Sequence, residues 1–116
     1  MSVTQKTAVN FSIDQGADFT KNFTITTDGS TAYDISGLTL QSQIRKSYDS
    51  SSATATFTAS VVTGSSGIYK LVLSNSTSAD ISAGRYVYDV ELILSDSTIE
   101  KVHYGIVTVN PEATKV

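Results

Sequence analysis

Apolar side chains recur at every second position along most of this chain, and that rhythm constrains the fold more than anything else in it. Val9, Phe11 and Ile13 alternate with Asn10 and Ser12, and Phe19, Lys21, Phe23 and Ile25 alternate with Thr20, Asn22, Thr24 and Thr26. The pattern repeats over 38–45, 55–61, 69–73, 85–94 and 102–106. An extended chain turns successive side chains to opposite faces, so period two means one dry face and one wet face. Antiparallel sheets have that asymmetry, whereas buried parallel sheets read as unbroken apolar runs.

Between these stretches lie turn formers, at Thr27-Asp28-Gly29-Ser30, Gly64-Ser65-Ser66-Gly67 and the polar loop 47–52. The stretch 74–84 predicts a loop with one helical turn near Ser78-Ala79-Asp80-Ile81, capped by Ser76 or Thr77. No helix longer than a turn is predicted. Strands at about 12-residue spacing predict an all-β, immunoglobulin-like antiparallel sandwich of about seven strands, with a small closed barrel as the alternative. The domain is expected over 9–110, flanked by polar tails at 1–8 and 111–116, the second opened by Pro111, which cannot donate to a ladder.

The last two stretches predict a hairpin about Ser95-Asp96-Ser97. In that register Val90 faces Val102, Tyr88 faces Tyr104 and Tyr86 faces Ile106 on the inner side. Glu91 with Lys101 and Asp89 with His103 form the outer pairs. Gly105 falls mid-strand, where a bulge or a close backbone approach is expected.

Composition narrows the chemistry. The chain has no cysteine and one histidine, which removes thiol catalysis, disulfides and Cys/His zinc sites. Eight basic against 11 acidic side chains leave a net charge of −3, the wrong sign for a nucleic-acid surface. No apolar run approaches membrane-spanning length, and the opening Met1-Ser2-Val3-Thr4-Gln5-Lys6 does not read as a signal peptide, so the chain is expected to be made in a cytoplasm. With 18 Ser and 16 Thr, the sequons at Asn10, Asn22 and Asn75 are chance matches.

A Ser-His-acid relay would have to use His103, which the register places beside Asp89 as an ordinary surface pair. Asp89 and Glu91 share a strand face about 7 Å apart, near a glycosidase spacing, yet Lys101 and solvent would keep both ionised. The loops at Asp28 and Asp96 each bring too few carboxylates for calcium. No catalytic residue, metal, cofactor or small-molecule substrate is therefore expected. Of six tyrosines, Tyr69, Tyr86, Tyr88 and Tyr104 fit inward positions. Tyr33 and Tyr48 fall in loops and are the candidate interface residues, with a sugar-binding platform as the other use of such rings.

Four segments carry a wider likeness: 11–19, 34–46, 84–92 and 105–112, opening Phe11-Ser12-Ile13-Asp14-Gln15-Gly16, Asp34-Ile35-Ser36-Gly37-Leu38, Gly84-Arg85-Tyr86-Val87-Tyr88 and Gly105-Ile106-Val107-Thr108. In that order they resemble small structural proteins of tailed bacteriophages, similar to the N-terminal domain of baseplate upper proteins. The resemblance implies an immunoglobulin-like sandwich serving as a non-enzymatic virion subunit of the tail, baseplate or fibre-attachment region. Its partners would be other virion proteins and symmetry-related copies of itself. A capsid decoration protein and a small adhesive, carbohydrate-binding module are the alternatives.

Overall fold

The computed structural model describes residues 6–113. The fold is all-β, as the alternation predicts. Its strands are β1 (Thr7–Ala8), β2 (Phe11–Asp14), β3 (Phe19–Thr24), β4 (Thr39–Arg45), β5 (Ala55–Thr63), β6 (Ile68–Leu73), β7 (Gly84–Ile93) and β8 (Ile99–Asn110). A 3-10 turn at Gly64–Ser66 links β5 to β6, and a short α-helix, α1 (Asn75–Ala79), links β6 to β7. Its cap is Ser74, whose Oγ accepts from the Thr77 amide, rather than the expected Ser76 or Thr77.

The strands form one hydrogen-bonded path, β1-β8-β7-β4-β5-β6-β3, with β2 beside β1 on the same flank of β8. The path curls because β5 serves both halves. Its start pairs with β4 through Ala55, Thr56 and Phe57, and the rest, from Thr58 onward, pairs with β6. A register shift between Val61 and Thr63 sharpens the bend. The inner faces of the halves then close on one core containing Phe23, Tyr69 and Leu71 from one side and Tyr88, Val90 and Val107 from the other. Phe11 joins them, stacked on Phe19 at 5.1 Å and edge-on to Tyr88 at 4.8 Å. Burying each large apolar side chain contributes roughly 1.5–3 kcal/mol.

The sheet is mixed where an antiparallel one was expected. β1 and β2 both run parallel to β8, Thr7 opposite His103 and Phe11 opposite Val107. Strand pairing thus begins within the stretch expected as an N-terminal tail. Residues 1–5 of that tail, and 114–116 of the other, lie outside the described residues.

The β7–β8 hairpin has the expected register only at its tip. Ile93 opposite Ile99 and Glu91 opposite Lys101 fit it, but a bulge follows, and Val90 faces His103. Val102 and His103 are consecutive, yet both are buried. One extra residue reverses the facing of everything beyond it. Gly105, Val107 and Val109 therefore point inward, while Tyr104 is half-buried and Ile106 is 40% exposed. The expected inner pairs Tyr88–Tyr104 and Tyr86–Ile106 are replaced by Tyr88–Gly105 and Tyr86–Val107.

Gly105 is the close approach anticipated. The Val9 amide donates to Tyr104 O at 2.8 Å, and Tyr88 Oη donates to Val9 O at 2.6 Å. Asn10 Oδ1 accepts from the Ile106 amide at 2.9 Å. A Cβ on residue 105 would strike the Val9 carbonyl and come within 2.6 Å of Asn10 Oδ1. Gly105→Ala is expected to cost about 1–3 kcal/mol and to lift the β1–β2 junction off β8. Denaturant unfolding with amide exchange at Val9 and Ile106 checks this, and unchanged protection at both amides would count against it.

Candidate functional site

Local hydrogen bonding places one aromatic ring deliberately on the surface. In Ser47-Tyr48-Asp49-Ser50 the Ser50 amide donates to Ser47 O at 3.1 Å, closing a four-residue turn. The Ser47 amide donates to Ser50 Oγ at 3.1 Å. Arg45, at the end of β4, donates through Nη1 to Ser50 O at 2.9 Å and through Nη2 to Gln43 Oε1 at 2.8 Å. The turn is therefore tied to the sheet, and Tyr48 stands at its second position with 55% of its surface exposed. Lys101 Nζ lies 5.6 Å from the ring centroid.

Tyr48 overhangs the outer face of β4 and β7. Their pairing sets Gln41 opposite Glu91 and Gln43 opposite Asp89. Gln41 Nε2 donates to Glu91 Oε1 at 2.8 Å, and Lys101 Nζ is 3.4 Å from Asp89 Oδ2. Gln41, Gln43, Asp89 and Glu91, together with Tyr48 and Thr56, line a groove of about 390 Å³. The ion pair runs diagonally to Asp89, although Lys101 stands opposite Glu91 in the register. Asp89 and Glu91, weighed as an acid pair, thus each have a partner in hand.

Tyr33, the other loop tyrosine, lies elsewhere. Its amide donates to Ile25 O at 2.9 Å, and its half-buried ring packs against the core. The structure does not bring Tyr33 and Tyr48 into one groove. The two aspartates weighed for calcium cap their own turns. Asp28 Oδ1 accepts from the Ser30 and Thr31 amides at 3.0 and 2.7 Å, and Asp96 Oδ1 from the Thr98 amide at 3.0 Å. These backbone donors hold the Asp28 carboxyl below its ordinary range, and the Thr98 hydroxyl and amide do the same for Asp96.

His103 is not the surface residue the sequence suggests. The bulge turns it inward, with 4% of its surface exposed, while Asp89 stays on the outer face. Its Nδ1 is 2.6 Å from Tyr69 Oη, and its ring centroid is 5.0 Å from that of Phe23. Burial pushes the imidazole pKa down to about 4, partly opposed by a hydrogen bond to the Thr24 backbone. The neutral ring carries one N–H. With that proton given to Thr24, Nδ1 accepts from the Tyr69 hydroxyl. Burial likewise raises the phenol pKa of Tyr69. The base and acid considered for a relay therefore stand on opposite sides of the sheet.

No protein-family model matches the chain, and no curated protein does. Among solved structures it is similar to the Listeria monocytogenes internalin-like protein lmo2027, at 12% identity with a TM-score of 0.47. That alignment covers 90% of this chain and 28% of the other, so this chain spans less than a third of it.

The groove's polar row was visible in part. Gln41, Gln43 and Arg45 are the outward members of an alternating stretch, but nothing local says that β7 supplies the facing acids. The His103–Tyr69 pair had no signal beyond two adjacent residues, Val102 and His103, competing for one face.

Because folding lowers the His103 pKa, protonation favours the unfolded chain. The stabilisation is complete above the unfolded value of about 6.5 and drains away as pH falls toward the folded value of about 4. The loss is expected to reach no more than about 3 kcal/mol. Denaturant midpoints at pH 7.5, 5.5 and 4 should decline accordingly, and the double change His103→Leu with Tyr69→Phe should flatten that part of the curve. A wild-type profile matching the double variant's would show that the imidazole does not titrate this way.

Proposed function

We propose that the chain is a non-enzymatic structural subunit of a bacteriophage virion, serving assembly or attachment in the tail, baseplate or fibre region. The observation that carries this reading is spatial. The four segments that resemble phage baseplate-type domains contain β2, β4, most of β7 and the second half of β8, and these strands are neighbours in one half of the sheet, in the order β2-β8-β7-β4. The likeness thus follows one contiguous body rather than scattered turns.

The free surfaces suit such a role. β3 pairs only with β6, and β2 only with β8, which leaves an unpaired flank at each end of the path among the described strands. Flanks of that kind accept a strand from a neighbouring subunit. Ile99, 53% exposed, offers an apolar anchor. The chain's partners are other virion proteins and symmetry-related copies of itself, with the protein made in the host cytoplasm and carried in the particle.

Copy number tests the reading. Quantitative gel densitometry of purified particles of the encoding phage should find this chain at a small multiple of three or six per particle. Hundreds of copies would instead identify a capsid decoration protein. Absence from washed particles would overturn the virion assignment.

A further inference from the structure

We propose that the groove between Tyr48 and the outer face of β4 and β7 binds a neutral saccharide of one or two rings. The site stands on its own geometry and does not depend on where the chain sits in a particle.

Charge balance is the first argument. The charged side chains lining the groove are Arg45, Asp89 and Glu91; Lys101, outside the lining, pairs with Asp89, which leaves Arg45 against Glu91, held by Ser50 and Gln43 and by Gln41 respectively. An anion or a cation entering the groove meets no surplus of opposite charge. A neutral polyhydroxyl ligand needs none, because each of its hydroxyls donates one hydrogen bond and accepts others.

The available groups match that need. The amides of Gln41 and Gln43 offer both donors and acceptors, the Asp89 and Glu91 carboxylates offer acceptors, and the Thr56 hydroxyl offers both. All five side chains rise from paired strands, so their spacing is held by the ladder. Planar, bidentate groups on a rigid surface hold vicinal hydroxyls with little loss of their own freedom.

Tyr48 supplies the apolar half of recognition. The C–H face of a pyranose stacks on an aromatic ring, and this ring is presented on a turn closed by two Ser47–Ser50 hydrogen bonds and fastened by Arg45. Lys101 beside the ring restricts it further. An exposed, anchored aromatic beside amides and charge-balanced carboxylates serves a sugar better than a protein anchor, which wants a drier surround. The size agrees: about 390 Å³ lies near the small end of ligand sites, typically about 300–1,000 Å³.

The test is direct. The intact chain is screened on an array of neutral oligosaccharides built from glucose, galactose, mannose and N-acetylhexosamines. Hits are then titrated by NMR, with millimolar affinity expected, an energy of about −4 kcal/mol at 1 mM. Tyr48→Ala should weaken binding about tenfold or more and Gln41→Ala several-fold; Tyr48→Phe, which keeps the ring but loses the 3.4 Å hydrogen bond from its hydroxyl to Tyr88 O, should weaken it less than Tyr48→Ala, and Tyr33→Ala should leave it unchanged. Thermal unfolding confirms that each variant is folded. Affinity should hold between low and high salt, since no net charge is exchanged. The proposal falls if no neutral saccharide binds at about ten times that concentration, if binding survives Tyr48→Ala, or if only sulfated or sialylated glycans bind with steep salt dependence.

Discussion

The bulge in β8 at Val102 and His103 is the constraint on which the rest of the architecture depends. By placing two consecutive side chains on the inner face, it changes which residues of β8 face the core. Upstream, the hairpin obeys the pairing expected from its charges. Downstream, Gly105 rather than a bulky residue faces in, and the chain beyond it presents Val107 and Val109 to the interior. With no side chain at position 105, Val9 can lie directly against the strand, and Tyr88 reaches across to its carbonyl. The junction between β1 and β2, at Val9 and Asn10, fills the space that the glycine leaves, which lets both strands lie along β8.

The same bulge accounts for the polar pair inside. An inward imidazole must have partners or cost several kcal/mol. Tyr69, from the opposite half of the sheet, and the Thr24 backbone answer both ring nitrogens. A hydrogen bond across the core ties the two halves in a way that apolar contact cannot, because it specifies one relative placement. Ser42 does a similar service within one half, donating to Asp89 O at 2.6 Å. No buried side-chain polar atom among the described residues is left without a partner.

These features explain what the sequence could disclose. Strand existence was legible because alternation is local: all seven stretches contain strand, and the inner faces of β6 and β7 agree with it residue by residue. The turn at Asp28 was legible for the same reason, since its carboxylate caps a turn two and three residues away. The bulge was not. A strand of uninterrupted alternation and a strand with one inserted residue differ only in where the alternation restarts, and 102–109 alternates acceptably either way. Tyr104 and Ile106 are large enough to pass for core residues, so the unbulged register looked the better packed. Only the cost of crowding Val9 against residue 105 decides between them, and that contact joins residues nearly a hundred positions apart. The parallel β2–β8 pairing was hidden likewise, because period two carries no strand direction. Tyr48 was visible as a loop aromatic, but its groove required the non-local pairing of Gln41 with Glu91 and Gln43 with Asp89.

The consequence is a division of labour between the two faces of β4 and β7. Inward, every polar group is spent on holding the fold: Ser42 on a neighbouring strand and, from β8, His103 on Tyr69. Outward, Asp89 is ion-paired with Lys101 while Glu91 and Arg45 are held by neutral hydrogen-bond partners, all close to water, where an exposed pair is worth about 1 kcal/mol or less and rearranges readily. Such groups exchange one hydrogen-bond partner for another at small cost. A polar ligand can therefore borrow them without loosening the sheet, provided that it brings no net charge of its own. The buried histidine cannot be borrowed in this way, since moving it would strip Tyr69 and Thr24 of their partner and open the core. The saccharide proposal accordingly rests on the outer row and the ring beside it, whereas His103 is held in the core by Tyr69.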